Sequence, residues 1–219
     1  MPPHRRAVIF ANGLLGNLEA ARQSVRPGDL LIAADGGARH CVSLGLTPDH
    51  VIGDFDSLAG SELDELRQKG VSVHQHPARK DYTDLELALR LARDLGADEM
   101  LVLGGLGARW DQTMANLLLP AAEAFAGVHI RLLDGSQEVF LLRGGESAAI
   151  TGSPGDTVSL IPLGGDALGV TTAGLEYPLN GESLAFGATR GVSNLLLGET
   201  AKVHLQGGLL LCVVIHGEV

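Results

Sequence analysis

The chain has 219 residues, 45% of them hydrophobic, and 16 Lys and Arg against 26 Asp and Glu give it a net charge of -10. That length can bury a full core, as one large domain or two modest ones, and the charge argues against a sequence-independent grip on nucleic acid or on an anionic membrane surface. Cys41 and Cys212 make neither a disulfide framework nor a CxxC pair, which fits a reducing cytoplasm, and no 18-residue apolar stretch is present to cross a membrane.

At the N-terminus, His4, Arg5 and Arg6 precede an apolar run at 7–10 that is too short for a signal segment. From there to about residue 142, short β-type runs at 7–10, 30–33, 51–52, 71–73, 100–103 and 130–133 alternate with helical patterns. This alternation predicts an α/β domain, a mainly parallel, Rossmann-like sheet in three layers, over residues 1–143. The clearest helix is expected at 83–95, where Leu85, Leu89 and Ala92 form one stripe and Thr83-Asp84-Leu85-Glu86 reads as a capping box. Another is expected at about 110–125. After Gly144-Gly145 the texture changes to strand-like runs at 157–161, 169–172, 201–205 and 209–215, separated by Gly, Pro, Asn and Thr. Residues 144–219 therefore read as a small all-β sandwich, small enough that its edges need cover from the first domain or a second chain.

In an open parallel sheet, ligands bind beyond the carboxyl ends of the strands, and the polar clusters of this sequence fall there. The run at 30–33 leads to Asp35-Gly36-Gly37; that at 51–52 to Gly53-Asp54-Phe55-Asp56-Ser57; that at 71–73, by way of His74 to Arg79, to Lys80-Asp81-Tyr82-Thr83-Asp84; and that at 100–103 to Gly104-Gly105-Leu106-Gly107-Ala108-Arg109-Trp110-Asp111. Six aspartates on one rim repel each other and raise each other's pKa unless a cation sits among them. Hard oxygen ligands suit Mg²⁺, which takes one or two carboxylates and completes its shell with water and substrate phosphates. Lys80 and Arg109 can hold phosphate oxygens, and glycines 36, 37, 104, 105 and 107 let backbone approach them. The set reads as a Mg-nucleotide site, although the chain has neither a GxxxxGK[ST] P-loop nor a GxGxxG fingerprint.

Each piece also has a structural reading. Asp35 suits a turn, Thr83 and Asp84 a helix cap, Asp111 the acidic first turn of a helix, and His74 with His76 a solvated strand end. Asp54 and Asp56 are harder to reduce to a turn, since one carboxylate serves it and the second does not. Convergence of four such caps and turns on one rim favours a phosphate and metal site. Nucleophilic triad chemistry has no support, as GxSxG and HExxH are absent.

In order along nearly the whole chain, Ala34-Asp35-Gly36-Gly37-Ala38, Gly53-Asp54-Phe55-Asp56-Ser57, Asp81-Tyr82-Thr83-Asp84, and Gly107-Ala108-Arg109-Trp110-Asp111 with Asn116 resemble the motifs of thiamine pyrophosphokinases. In the second unit, the run from Val170 to Leu179, then Leu184-Ala185-Phe186-Gly187 and Ser193-Asn194, is similar to that family's second domain. The resemblance implies a homodimeric, Mg-dependent, cytoplasmic enzyme that moves pyrophosphate from ATP to thiamine, giving thiamine diphosphate and AMP. It implies that Asp54, Asp56 and Asp84 hold Mg²⁺, with Asp81 beside them among the catalytic carboxylates. Asp35, Gly36, Gly37, Lys80, Thr83, Arg109 and Asp111 would line the ATP phosphates. Tyr177, Ser193 and Asn194 would meet thiamine across the dimer interface. The chain departs from the family pattern in Ala108 for a frequent glycine, Gln112 for a histidine, and Tyr177 for a tryptophan found in some members. A tyrosine ring can still face a cationic thiazolium. Two rivals remain: a pyrophosphokinase for another hydroxymethyl heterocycle of pterin type, and a non-catalytic thiamine or nucleotide sensor. Thiamine-dependent AMP release separates them.

Overall fold

A computed structural model describes residues 5–107 and 109–217, and the chain divides into two compact units between Gly135 and Ser136. In the first unit, strands and helices alternate: β1 (Arg5–Phe10), α1 (Leu18–Ser24), β2 (Leu30–Ala34), α2 (Gly37–Ser43), β3 (His50–Gly53), α3 (Gly60–Gln68), β4 (Ser72–Gln75), α4 (Asp84–Asp94), β5 (Ala97–Leu103), α5 (Trp110–Leu118) and β6 (His129–Asp134). The strands lie in the order β6-β5-β1-β2-β3-β4, and every neighbouring pair is parallel. The order reverses direction at β1, so the crevice beyond the carboxyl ends of β1, β2 and β5 is where a doubly wound sheet takes its ligand.

Both faces of this sheet are buried along β1, β2, β3 and β5, which is why these strands read as continuous apolar runs, while the edge strand β4 has no buried residue. Val8, Phe10, Ala33, Val51, Leu101 and Leu103 pack with Ala38 and Cys41 of α2 and Leu66 of α3. Ala7, Ile9, Ile32, Met100 and Val102 point the other way and are equally buried, on the side of α4, whose Leu85, Ala88, Leu89 and Ala92 form the inward stripe. The expected helix at 83–95 is thus present with Thr83 as its N-cap: the Thr83 hydroxyl oxygen accepts the Glu86 N–H at 3.2 Å. The capping box is only half made, because the Glu86 carboxylate instead accepts two hydrogen bonds from Arg90 one turn on. The helix expected over 110–125 ends at Leu118, and two short 3-10 turns, Leu119–Ala121 and Glu123–Phe125, follow. Pro120 lacks the N–H that a continuing α-helix needs.

The second unit contains β7 (Gln137–Arg143), β8 (Ser147–Thr151), β9 (Thr157–Pro162), β10 (Ala167–Ala173), β11 (Asn180–Leu184), β12 (Asn194–Leu195), β13 (Thr200–His204) and β14 (Leu209–Ile215). Two antiparallel arrays, β12-β9-β14-β7 and β11-β10-β13-β8, enclose one core of Phe140, Leu142, Val158, Leu160, Val170, Val203, Leu210 and Val214, as expected of a sandwich. This unit begins eight residues before the change of texture at 144, because β7 pairs along its whole length with β14, from Gln137 opposite Ile215 to Arg143 opposite Leu209. Asp156 anchors the chain end: its buried carboxylate accepts N–H groups from Ser153 and Gly217 and pairs with the His216 ring.

Candidate active site

Parallel strands deliver their carboxyl ends to one edge, and in the first unit that edge gathers side chains distant in sequence. β2 ends at Ala34 and hands over to Asp35; β3 ends at Gly53 and hands over to Asp54 and Asp56. Carboxylate oxygens of these three aspartates lie within 4.8 Å of one another. Asp35 is the buried member, 5% exposed, and among the described residues its Oδ1 has no hydrogen-bond partner while Oδ2 accepts from Asn12 at 3.3 Å. A buried carboxylate oxygen without a donor, facing two more carboxylates, is a site that asks for a cation.

Gly53 explains how a fourth carboxylate comes close. A Cβ there would stand 3.1 Å from the Asp35 Cβ and 3.2 Å from Asp84 Oδ1, tighter than ordinary contact, so glycine lets both approach the strand end without displacement. Lys80 then bridges the group: its Nζ lies 2.7 Å from Asp84 Oδ1 and 3.4 Å from Asp54 Oδ2. Burial pulls the Lys80 ammonium down, but the two carboxylates more than offset this and its pKa is raised. The Asp84 carboxyl is raised, mainly by its burial, with Asp54 and Asp35 adding repulsion against the pull of Lys80. Asp54 is held low, first by the Asp56 N–H that its Oδ1 accepts and then by Lys80. The resemblance implied a trio of Asp54, Asp56 and Asp84. The geometry puts Asp35 with Asp54 and Asp56, and Asp84 on the lysine.

The remaining rim residues are placed as follows. Gly36 and Gly37 are glycine for a reason internal to the protein, since a Cβ would fall 2.2 Å from Asn12 Oδ1 and 2.0 Å from the Phe10 carbonyl oxygen. Thr83 caps α4, and Asp81 is exposed beside it. Arg109 and Asp111 form an exposed bidentate pair at the start of α5, and among the described residues no hydrogen bond joins them to the aspartate cluster. Ala108 lies outside the described residues. Trp110, next to this pair, is 80% exposed. The loop between β5 and α5 is closed by Thr113, which bonds both the N–H and the carbonyl of Gly107, and by Asn116, which donates to the Gly105 carbonyl at 2.6 Å.

In the second unit the three named residues fall together. Asn194 Oδ1 accepts the Tyr177 N–H at 3.0 Å and Asn194 Nδ2 donates back to the Tyr177 carbonyl at 2.7 Å, leaving the ring 65% exposed, with Ser193 adjacent. The non-glycine residues with positive φ among those described are Asp35 (47°), Phe55 (61°) and Ser193 (62°). Each lies inside a motif singled out from the sequence, and strained backbone of this kind persists where surrounding contacts over-determine it. Asn12 was not singled out. Its signal was available, an Asn-Gly one residue beyond the first strand run. Arg39, whose guanidinium donates to the Ser57 carbonyl and to Glu62, had no local signal at all.

Clustered carboxylates and a lysine at the strand ends of a doubly wound sheet, joined to a small β-sandwich unit, define an α/β enzyme of phosphoryl-transfer type. Comparison with known proteins is more specific. Residues 21–132 match the thiamin pyrophosphokinase catalytic domain and residues 148–210 match the thiamin pyrophosphokinase vitamin B1 binding domain. The chain belongs to the thiamin pyrophosphokinase family. Among curated relatives, the thiamine pyrophosphokinase of Bacillus subtilis is 29% identical over 184 residues, covering 84% of this chain and 86% of its own. Thiamine pyrophosphokinase 1 of Oryza sativa is 27% identical, covering 83% and 77%. The crystal structure of the Bacillus subtilis protein superposes with a TM-score of 0.87 at 26% identity, covering 98% of this chain and 100% of that one. That of the Candida albicans thiamin pyrophosphokinase, at 18% identity, shows the same fold with a TM-score of 0.79 over 98% of this chain and 90% of its own.

Proposed function

We propose that the chain transfers the pyrophosphoryl group of ATP to the hydroxyl of thiamine, releasing thiamine diphosphate and AMP, and that it does so with Mg²⁺ in the cytoplasm as a homodimer. The observation that carries the chemistry is the cluster of Asp35, Asp54 and Asp56 oxygens within 4.8 Å at the strand ends. The donor set fits a hard divalent cation: it offers oxygens alone, and one of them is buried without a donor. Asp54, Asp56 and Asp84 would hold Mg²⁺, with the buried Asp35 beside them. When bound, the cation supplies charge neutralisation for the phosphates.

The protein's own part is positioning and electrostatics, since phosphoryl transfer needs little covalent help. Lys80, already a mobile-length cation among the carboxylates, offers its ammonium to phosphate oxygens; Arg109 offers a planar fork at the rim. Asp81 and Asp84 stand beside Lys80 as the carboxylates able to take the thiamine hydroxyl proton. Thr83 fixes that loop on α4, and Asp111 holds the Arg109 fork. Tyr177 presents an exposed ring suited to a cationic thiazolium, with Ser193 and Asn194 shaping its base. Exposed apolar residues of the β unit, Tyr177, Phe186, Val192 and Leu197, support a dimer contact. No described helix is long and apolar enough to cross a membrane.

The test is AMP formation from ATP and Mg²⁺ with and without thiamine. Thiamine-dependent AMP release is expected. AMP release that ignores thiamine but follows a hydroxymethyl pterin, or no release at all, overturns the proposal.

A further inference from the structure

We infer that Arg39 is a positioning residue for the divalent cation, acting through the loop that carries Asp54 and Asp56; the inference rests on the metal reading above. Arg39 lies in the first turn of α2, the helix that starts directly after Asp35 and Gly36. Its Nη2 donates to the Ser57 carbonyl at 2.6 Å, and Nε and Nη2 each reach a carboxylate oxygen of Glu62 at 3.0 Å. Glu62 Oε2 in turn accepts the Ala59 N–H at 2.7 Å. One guanidinium therefore ties the helix beginning beside Asp35 to the middle and the far end of the 54–59 loop.

The loop needs an outside anchor. Phe55, between the two carboxylates, has φ 61°, a conformation a bulky residue does not keep unaided. Beyond it, Ser57 Oγ donates to Asp56 Oδ1 at 3.2 Å and lies 3.4 Å from Asn12 Nδ2, the same amide that bonds Asp35. The Ser57 carbonyl held by Arg39 belongs to a residue whose hydroxyl touches one proposed ligand, Asp56, and reaches through Asn12 the buried Asp35 beside the site. Arg39 is 55% exposed, and an ion pair that open adds little to stability. Its geometry is what matters: a fork that binds a carboxylate with two nitrogens and has a further N–H direction for the carbonyl, which an ammonium on a flexible stem does not reproduce.

Charge and position predict opposite signs here. Arg39 is a cation near Asp35, so if only its field mattered, removing it would tighten binding of another cation. If it holds the loop, removing it weakens that binding.

Mn²⁺ binding, followed by the electron paramagnetic resonance of free Mn²⁺ without nucleotide, separates the two in the full chain. Arg39→Met is expected to bind roughly 10-fold more weakly or worse, and Arg39→Lys, which keeps the charge and loses the fork, to weaken in the same direction. Glu62→Gln should follow with a smaller loss. Thermal midpoints should stay near wild type, and kcat should fall with the KM for thiamine unchanged. Unchanged or tighter Mn²⁺ binding in these variants overturns the inference. If Arg39→Met does not fold, Arg39→Lys decides, because it keeps the charge and loses only the fork, whereas loss of the Glu62 carboxylate would weaken cation binding by charge alone. A wild-type chain that binds no Mn²⁺ overturns the metal reading and this inference with it, whereas a wild type that binds and variants that match it overturn only the role of Arg39.

Discussion

Phe55 sits in a backbone conformation that a bulky side chain avoids, yet its ring is only 6% exposed and packs with Leu58 and Leu66 in the core of the first unit. Two effects compete on replacing it with glycine. Relief of the positive φ returns about 1 kcal/mol, while loss of a buried phenyl costs about 3–5 kcal/mol. The packing wins, and Phe55→Gly is expected to lower unfolding free energy by about 2–4 kcal/mol in a urea melt. Its neighbours behave differently, because they are partly or fully exposed and make few packing contacts. Asp54→Ala and Asp56→Ala should leave the melt near wild type and cut turnover by more than about 100-fold; near wild-type activity with Mg²⁺ in either would sink the metal assignment.

Glu62 gives the site a pH signature. The Arg39 side chain, then the Ala59 N–H, hold its carboxyl down from 4.5 to about 2. A carboxyl lowered by folding favours the folded state above its unfolded pKa, and this contribution is lost as pH falls through the folded value. The Glu62 pair with Arg39 should therefore persist down through pH 4 and break only as pH nears about 2. Carboxyl chemical shifts in an NMR titration measure this directly, and a midpoint near 4.5 would contradict the bidentate geometry.

At the scale of the element, α4 shows how much local sequence decides. The Thr83 cap and the apolar stripe through Leu85, Leu89 and Ala92 were both legible, since each depends on spacing within one helix. The closing half of the capping box was not, because Arg90 competes for Glu86 and also lies 4.5 Å above the Tyr82 ring. Thr83→Ala should cost about 1 kcal/mol, while Glu86→Gln, which leaves the Thr83 bond intact, should cost less; paired denaturant melts compare them. α5 shows the limit of periodicity. Trp110, Met114 and Leu118 recur at helical spacing and suggest an inward stripe, yet all three are exposed and the helix buries no residue. Spacing tells which residues share a face, not what that face meets. Pro120, the residue that ends the helix, was in view and carried the correct stop.

At the scale of the molecule, the parallel sheet and the sandwich followed from the order of apolar runs; of the six aspartates named at strand ends, Asp35, Asp54, Asp56 and Asp84 lie together around Lys80, whereas Asp81 is exposed and Asp111 pairs with Arg109. What escaped reading was contact at long range. Asn12 meets Asp35 across 23 residues and Ser57 across 45, and Arg39 meets Glu62 across 23. β7 is hard to place from local pattern, since Val139 to Leu142 runs directly into Gly144-Gly145, and its pairing with β14 puts it in the second unit. Ligand binding should register on the molecule as a whole: with Mg²⁺ and ATP at about 100 times the Kd, stability should rise by about 2.7 kcal/mol. The shift in thermal midpoint should vanish with EDTA and in Asp54→Ala, and its survival in both would rule out a cation held at these carboxylates.

Trp110 is the only tryptophan in the chain, four-fifths open to water and next to Arg109 at the head of α5. The protein thus carries a single tryptophan fluorophore, excitable apart from Tyr82 and Tyr177 at the red edge of the absorption band and mounted on the rim where nucleotide is expected to arrive. Its emission can be assigned without mutagenesis or labelling, so stopped-flow traces on the unmodified chain would resolve arrival and departure at that edge as separate optical phases.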